Sequence, residues 1–386
     1  MAPKCGVLGG GAFGTALAFH LGRAGHETRL WAREKALVDR INRTRENSAY
    51  LPGVRAPDNV VATNNIEVAL AAEFILLVVP TPYLEATLAP AVSHIRPGAI
   101  LVSCAKGILN GTLETAEQLL HRVLPEEHHP RLAFLSGPSF AKEVAAGKPT
   151  MVTVASRDEK VARQVQGVIS TTFFRCYRTT DVMGVELGGA LKNVLAIACG
   201  ISDGLDLGSN ARAAIITRGL CEVTSIATAM GADPITMLGL GGIGDLVLTC
   251  TGDLSRNRTV GLRIGKGEKL DDITHSMGGA VAEGVLTSRS AYELARRMGT
   301  HCPTIEAIYR VIHEGADPVC MVAENIGCEM EHEVPHVLQR AASRAGGSGA
   351  AICSSCGGAG SGDAPSAAGG GERGAAALAH AGAAAR

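Results

Sequence analysis

The stretch Gly9-Gly10-Gly11-Ala12-Phe13-Gly14 constrains the fold of this chain more than any other. The apolar run 5–8 before it reads as a short buried strand. Residues 12–23 after it read as a helix, with Gly25 suited to its end. A strand that turns at once into a helix needs glycine for three reasons. The turn is tight, an outside group must come close to the backbone, and the helix must pack against the strand. The helix N terminus then supplies N–H groups and the positive end of a dipole, a ready site for phosphate. G-x-G-x-x-G in this setting predicts a dinucleotide pyrophosphate held by Gly9, Gly11 and Gly14.

The same alternation continues. Strands are expected over 27–32, 60–62, 74–79, 100–105, 132–135, 151–155 and 173–177. A charged helix should start near Glu34, and Pro82 opens another at its favoured early position. Strands alternating with helices imply a mostly parallel sheet covered on both faces. From about Asp181 helical periodicity takes over, most clearly over 185–201, 211–230, 283–298 and 303–313. The last stretch differs again, with 29 Ala or Gly among the 46 residues 341–386. Such a segment has almost nothing large to bury and is expected to be disordered. The fold class is therefore an α/β Rossmann-type, doubly wound N-terminal domain (1–181), an all-α C-terminal domain (182–329) and a low-complexity tail (330–386).

Composition excludes several functions. Lys and Arg total 36 against 37 Asp and Glu, so no basic field attracts nucleic acid. Aromatics are 3%, too few for base-stacking platforms. The longest apolar run, 74–79, is too short to span a bilayer. The eleven cysteines are mostly set in apolar runs, as reduced intracellular thiols are. Cys353-Ser-Ser-Cys356 has metal or redox spacing but no regular pattern around it, and no metal is expected. No secretory or transit leader precedes the first strand, which points to the cytoplasm. A plastid protein with an incomplete N terminus would look the same.

The second strand should end in Asp or Glu if it holds the ribose 2′-hydroxyl of NAD. Here the stretch is Leu30-Trp31-Ala32-Arg33-Glu34. Arg33 could meet a 2′-phosphate, while Glu34 keeps NAD open, so the cofactor is NAD or NADP.

Three further segments carry chemistry. Ser136-Gly137-Pro138-Ser139-Phe140-Ala141 and Lys106-Gly107 each follow an apolar strand, where a doubly wound sheet opens its ligand crevice. On the helix that contains Glu186 and Asn193, Lys192 shares a small, apolar face with Gly188, Gly189, Leu195, Ala196 and Cys199. Poor solvation there lowers the pKa of an ammonium, so that it can trade a proton near neutral pH. The alternative is a snorkelling lysine at a domain boundary. Gly239 to Gly244 form a second glycine-rich turn, and Asp245 follows as a helix cap or a site residue. Ser255-Arg256-Asn257-Arg258 suits a small phosphate, since arginine meets oxyanions bidentately.

Taken together these segments resemble the NAD(P)-dependent glycerol-3-phosphate dehydrogenase family. The matching stretches are 9–18 (GGGAFGTALA), 136–143 (SGPSFAKE), 191–198 (LKNVLAIA), 241–250 (GGIGDLVLTC), 254–261 (LSRNRTVG) and 280–284 (AVAEG). They occur in family order across roughly residues 4–325, and the tail has no counterpart. The resemblance implies a site between a Rossmann domain and an all-α domain, in a homodimer. It implies Lys192 as the proton acceptor in alcohol oxidation. Substrate contacts fall on Lys106, Gly137, Ser139, Lys192, Asp245, Ser255, Arg256 and Asn257. Cofactor contacts fall on Ala12, Phe13, Arg33, Lys106, Ala141, Arg256, Val281 and Glu283. The expected reaction is reversible hydride transfer between sn-glycerol 3-phosphate and dihydroxyacetone phosphate, serving glycerol and glycerolipid metabolism. Asp245 would orient Lys192, while Lys106 and Asn193 would polarise the C2 oxygen. The alternatives are a reductase of a non-phosphorylated 2-oxo acid such as ketopantoate, which would not need Ser255 to Arg258, and a nucleotide sensor without turnover.

Overall fold

The computed structural model describes residues 2–277 and 282–327. Eight strands form one sheet: β1 (Cys5–Leu8), β2 (Thr28–Trp31), β3 (Val60–Thr63), β4 (Phe74–Leu77), β5 (Ile100–Ser103), β6 (Leu132–Ser136), β7 (Thr150–Ala155) and β8 (Phe174–Thr179). Their order is β3-β2-β1-β4-β5-β6-β7-β8. The first six run parallel, β7 is antiparallel to β6, and β8 is parallel to β7. Every strand expected from the sequence is present, though 74–79 and 100–105 end at Leu77 and Ser103, and 27–32 shortens to Thr28–Trp31. Its neighbour β1 offers only four residues, Cys5 to Leu8, for pairing.

The helices of this half are α1 (Ala12–Arg23), α2 (Lys35–Thr44), α3 (Ile66–Leu70), α4 (Thr81–Leu88), α5 (Ala116–Val123), α6 (Ala141–Ala145) and α7 (Glu159–Ile169). One face of the sheet buries Leu17, Phe19 and Leu21 of α1 with Val161 and Val165 of α7. The other buries Leu84 and Leu88 of α4 with Leu119 and Leu120 of α5. The chain winds outward from β1 in both directions, so β1 and β4 flank the point where the winding reverses. In such sheets the crevice beyond the strands' carboxyl ends at that point is where ligands bind.

After β8 the described residues contain helices and no strand: α8 (Val182–Gly204), α9 (Gly208–Ala229), α10 (Asp245–Thr251), α11 (Arg256–Gly265), α12 (Leu270–Ser276), α13 (Glu283–Met298), α14 (Pro303–Tyr309) and α15 (Pro318–Gly327). Asp181 starts α8 by accepting from the Gly184 N–H at 2.9 Å, three residues before the apolar periodicity becomes clear. The expected helix 303–313 divides, since its last turn, Arg310–Glu314, is wound as a π-helix.

Helix α8 is the axis of this half. It is buried along nearly its whole length, and α9, α10, α11, α13 and α14 pack around it. Runs of apolar residues understate it, because Lys192 and Asn193 interrupt the pattern. It is long and apolar enough to cross a membrane by length and composition, but 94% of that apolar window is buried inside the protein. Among the described residues all eight cysteines are free thiols. Val281, the tail 330–386 and the Cys353/Cys356 pair lie outside the described residues.

Candidate active site

The glycine loop stands at the carboxyl end of β1. A Cβ on Gly14 would lie 1.9 Å from the Gly9 carbonyl oxygen, so only glycine lets α1 start this close to the strand. At Gly11 the reverse holds: a Cβ would meet no protein atom within 4 Å. That open space faces the N terminus of a twelve-residue helix with no acidic residue in its first turn. An anionic pyrophosphate fits there, since backbone and dipole both favour it.

A second group of side chains gathers at the same end of the sheet. Lys106 follows β5, Ser136 ends β6, Lys192 rides on α8, and Asp245 is the first residue of α10. The Asp245 carboxylate, 1% exposed, sits between the two ammonium groups. Lys106 Nζ lies 2.8 Å from Oδ2, and Lys192 Nζ contacts Oδ1. Oδ2 also accepts from the Gly137 N–H at 3.3 Å and the Ser136 hydroxyl at 3.5 Å. The Gly137 backbone, at φ +134°, leaves no room for a side chain, because a Cβ would lie 2.8 Å from Val152 Cα. Asp245 therefore serves the cluster and caps nothing. Lys192 Nζ donates to Thr249 Oγ1 at 3.0 Å, and that hydroxyl donates to the Asp245 carbonyl at 2.6 Å. The cluster reaches the glycine loop through Lys106, whose Nζ stands 6.0 Å from the centre of the Phe13 ring.

The three charges pull against their burial in different measure. Burial lowers the Lys192 pKa, and Lys106 beside it adds to the effect. Asp245 offsets only part, which leaves the group at about 8. Burial also disfavours charge on Lys106, but Asp245 outweighs it and holds this ammonium above its ordinary range. For Asp245, burial would raise the carboxyl, yet the two lysines hold it below the usual carboxylate range. One carboxylate thus supports a firmly charged ammonium and a second that can exchange its proton near neutrality.

Beyond Lys192, Asn193 Oδ1 accepts from Asn257 Nδ2 at 2.9 Å, and Asn257 Oδ1 accepts from the Gly284 N–H at 3.0 Å. These bonds bring α8, α11 and the start of α13 together. Ser255 caps α11, its hydroxyl accepting from the Arg258 N–H at 3.2 Å. Arg256 follows, exposed, at the first position of α11. Burial raises the Glu283 carboxyl, while Arg256, Lys106 and Lys192 pull it the other way. Ser139 turns its hydroxyl to the Gly137 carbonyl at 2.9 Å, and Ala141 opens α6.

One expectation needs adjustment. Arg258 is not available to a phosphate, because Asp203 engages its Nε at 2.8 Å and Asp253 its Nη1 at 3.0 Å. Arg33 stands just beyond the end of β2, where the sequence placed it, exposed and paired with neighbouring Glu34 at 3.0 Å. Ser136 and Thr249 had no separate role in the sequence reading. For Thr249 a signal existed, since it lies four residues after Asp245 on the same helix face.

A phosphate cradle at the switch point, joined to a buried amine that can trade a proton, defines a dinucleotide-dependent oxidoreductase. Residues 4–162 match the family described as NAD-dependent glycerol-3-phosphate dehydrogenase N-terminus, and residues 181–323 match the corresponding C-terminus. A Syntrophotalea carbinolica protein named glycerol-3-phosphate dehydrogenase (NAD(P)+) is 52% identical over 320 residues, 83% of this chain and 96% of that one. The Myxococcus xanthus protein of the same name is 52% identical over 310 residues, 80% and 92% of the two chains. The crystal structure of a Coxiella burnetii glycerol-3-phosphate dehydrogenase superposes with a TM-score of 0.79 at 37% identity, covering 84% of this chain and 99% of that one. The chain belongs to the NAD-dependent glycerol-3-phosphate dehydrogenase family.

Proposed function

We propose that this enzyme interconverts dihydroxyacetone phosphate and sn-glycerol 3-phosphate with NAD or NADP, and that Lys192 exchanges the proton. The observation that carries this reading is the buried Lys192 ammonium, held by Asp245 and Thr249 with its pKa brought down to about 8. In the reductive direction Lys192 gives its proton to the oxygen on C2 as charge develops there, and in the oxidative direction it takes that proton back. When bound, the nicotinamide accepts or supplies the hydride. Lys106 stays charged and donates a hydrogen bond to the same oxygen, with Asn193 beside it. Gly137 and Ser139 close the substrate site from the β6 side. The substrate phosphate lies against Arg256 and the N terminus of α11, with Ser255 and Asn257 around it. Holding the phosphate restrains C2 for transfer. Gly9, Gly11, Ala12, Phe13 and Gly14 hold the pyrophosphate. Arg33 serves the ribose end, and Ala141, Val281 and Glu283 serve the nicotinamide end.

The direct test is oxidation of NADH and of NADPH with dihydroxyacetone phosphate, run beside ketopantoate. Turnover only with the non-phosphorylated acid would transfer the chain to the rival reaction. Binding of either nucleotide without any turnover would make it a sensor. Arg256→Ala is expected to raise the KM for dihydroxyacetone phosphate by about ten- to a hundredfold, the scale of a charge-assisted hydrogen bond to phosphate. An unchanged KM would remove Arg256 from the phosphate site.

We also propose a homodimer. Ile235 and Leu238 are 70% and 72% exposed, an apolar pair that a second copy could cover. Sedimentation at micromolar concentration should give twice the chain mass, and a single-chain mass would refute the dimer.

A further inference from the structure

We propose that Asn47 is a positioning residue for the dinucleotide, and that it acts by fixing the peptide between Gly10 and Gly11. The proposal rests on the dinucleotide reading of the glycine loop and assigns that loop a support outside its own motif. Asn47 is 0% exposed, and its side-chain amide reaches into the loop from 37 residues away. Nδ2 donates to the Gly10 carbonyl at 2.8 Å and to Thr15 Oγ1 at 2.7 Å. Thr15 in turn donates to the same Gly10 oxygen at 3.3 Å.

A peptide unit is planar, and there is no cis bond among the described residues. In a trans unit the carbonyl and the next N–H point in opposite directions. Tying down the Gly10 oxygen therefore also aims the Gly11 N–H. Gly11 is the residue before α1, with open space at its Cβ position. That N–H points away from Asn47, to the side where a phosphate would lie.

The orientation of the amide is set by chemistry. Its Oδ1 is buried with no hydrogen-bond partner among the described residues. Reversing the amide would bring that oxygen against the Gly10 carbonyl oxygen, which can only accept. Asn47 is thus held for its two donors, at the cost of an unpaired acceptor. The segment that delivers it is itself fastened. The Asn47 carbonyl accepts from Leu51 N at 2.8 Å, Glu46 pairs with Arg55 across an antiparallel bridge, and the Glu46 carboxylate accepts from Gly53 N at 2.8 Å. Arg45 donates to the carbonyls of Val60 at 3.1 Å and of Pro57, anchoring the segment beside β3. The amide is fixed by bonds within the protein itself, which reduces the cost of ordering the loop on binding.

Asn47→Asp keeps the shape and removes the donors, and it sets a carboxylate against the Gly10 oxygen. In direct fluorescence titration, the Kd for NADH and NADPH should rise about tenfold or more, the scale of one oriented hydrogen bond to an anion. The kcat at saturating nucleotide and the KM for dihydroxyacetone phosphate should stay within twofold. In competition against NADH, ADP should lose affinity and adenosine should not, because only ADP carries the pyrophosphate. A nucleotide Kd within twofold of wild type would overturn the proposal, as would equal losses for ADP and adenosine. If Asn47→Asp does not fold, Thr15→Val tests the same junction by removing its hydroxyl. A nucleotide Kd raised about threefold would then uphold the proposal, and an unchanged Kd would end it. A wild-type protein that bound neither nucleotide would defeat the dinucleotide reading itself. A wild type that binds while the variants match it would defeat this proposal alone.

Discussion

Lys192→Met should lower turnover by about 10²–10⁴, the range that a positioned proton donor or acceptor supplies. Methionine has a similar length and tolerates the apolar face of α8, so the fold should persist. The Kd for nucleotide should move by less than threefold, because the pyrophosphate cradle is built by other residues. The pH profile makes the test sharper. With Lys192 at about 8, oxidation needs the neutral amine, so its kcat/KM should climb as pH rises through that value. Reduction needs the ammonium, so its rate should fall through the same window. Both steps should vanish in Lys192→Met. Full activity, or a profile that keeps the step, would take the proton transfer away from this residue.

Asp245→Asn should have the second large effect, by a different route. The carboxylate is the shared counter-charge of Lys106 and Lys192. Removing the charge leaves two ammonium groups facing each other in a buried place, and both pKa values should drop. The oxidative pH profile should therefore move to lower pH, since neutral Lys192 becomes available sooner. Turnover should fall at least tenfold, because the charged form of Lys106 is no longer secured. Breaking a buried pair while leaving the other charge behind costs about 3–5 kcal/mol of stability. Denaturant unfolding of the variant reads that loss directly. A variant with wild-type stability and an unmoved profile would mean that Asp245 carries no charge-balancing role.

Much of this architecture was legible in the residues. The central strands β1, β4, β5 and β6 are short apolar runs set off by turns, and a parallel sheet with both faces covered writes itself that way. The glycine loop could be read because each glycine answers a steric demand. The face of α8 around Lys192 was also readable, since helical spacing puts Gly188, Gly189 and Ala196 beside it. What could not be read is which charges meet. Asp245 at a helix start serves equally as a cap or as a counter-ion, and only contact with Lys106, 139 residues away, separates the two. Arg258 belonged by composition to a phosphate cluster, but Asp203, 55 residues earlier, claims it. Asn47 lay in a stretch with no motif to single it out. Its meaning comes from a carbonyl on another element. In each case the local preference was real and a distant partner decided the outcome.

The enclosure of α8 ties turnover to the integrity of one hydrophobic interior. The amine proposed to handle the proton is mounted on the same rod that the surrounding helices close upon, so the reactive atom keeps its place for as long as that interior stays packed. Heat should therefore extinguish activity in step with the melting of the helical half and not ahead of it. Variation that retunes the proposed substrate site is then confined to the rim, as at the exposed Arg256 that starts α11, where a side chain can change without disturbing the rod.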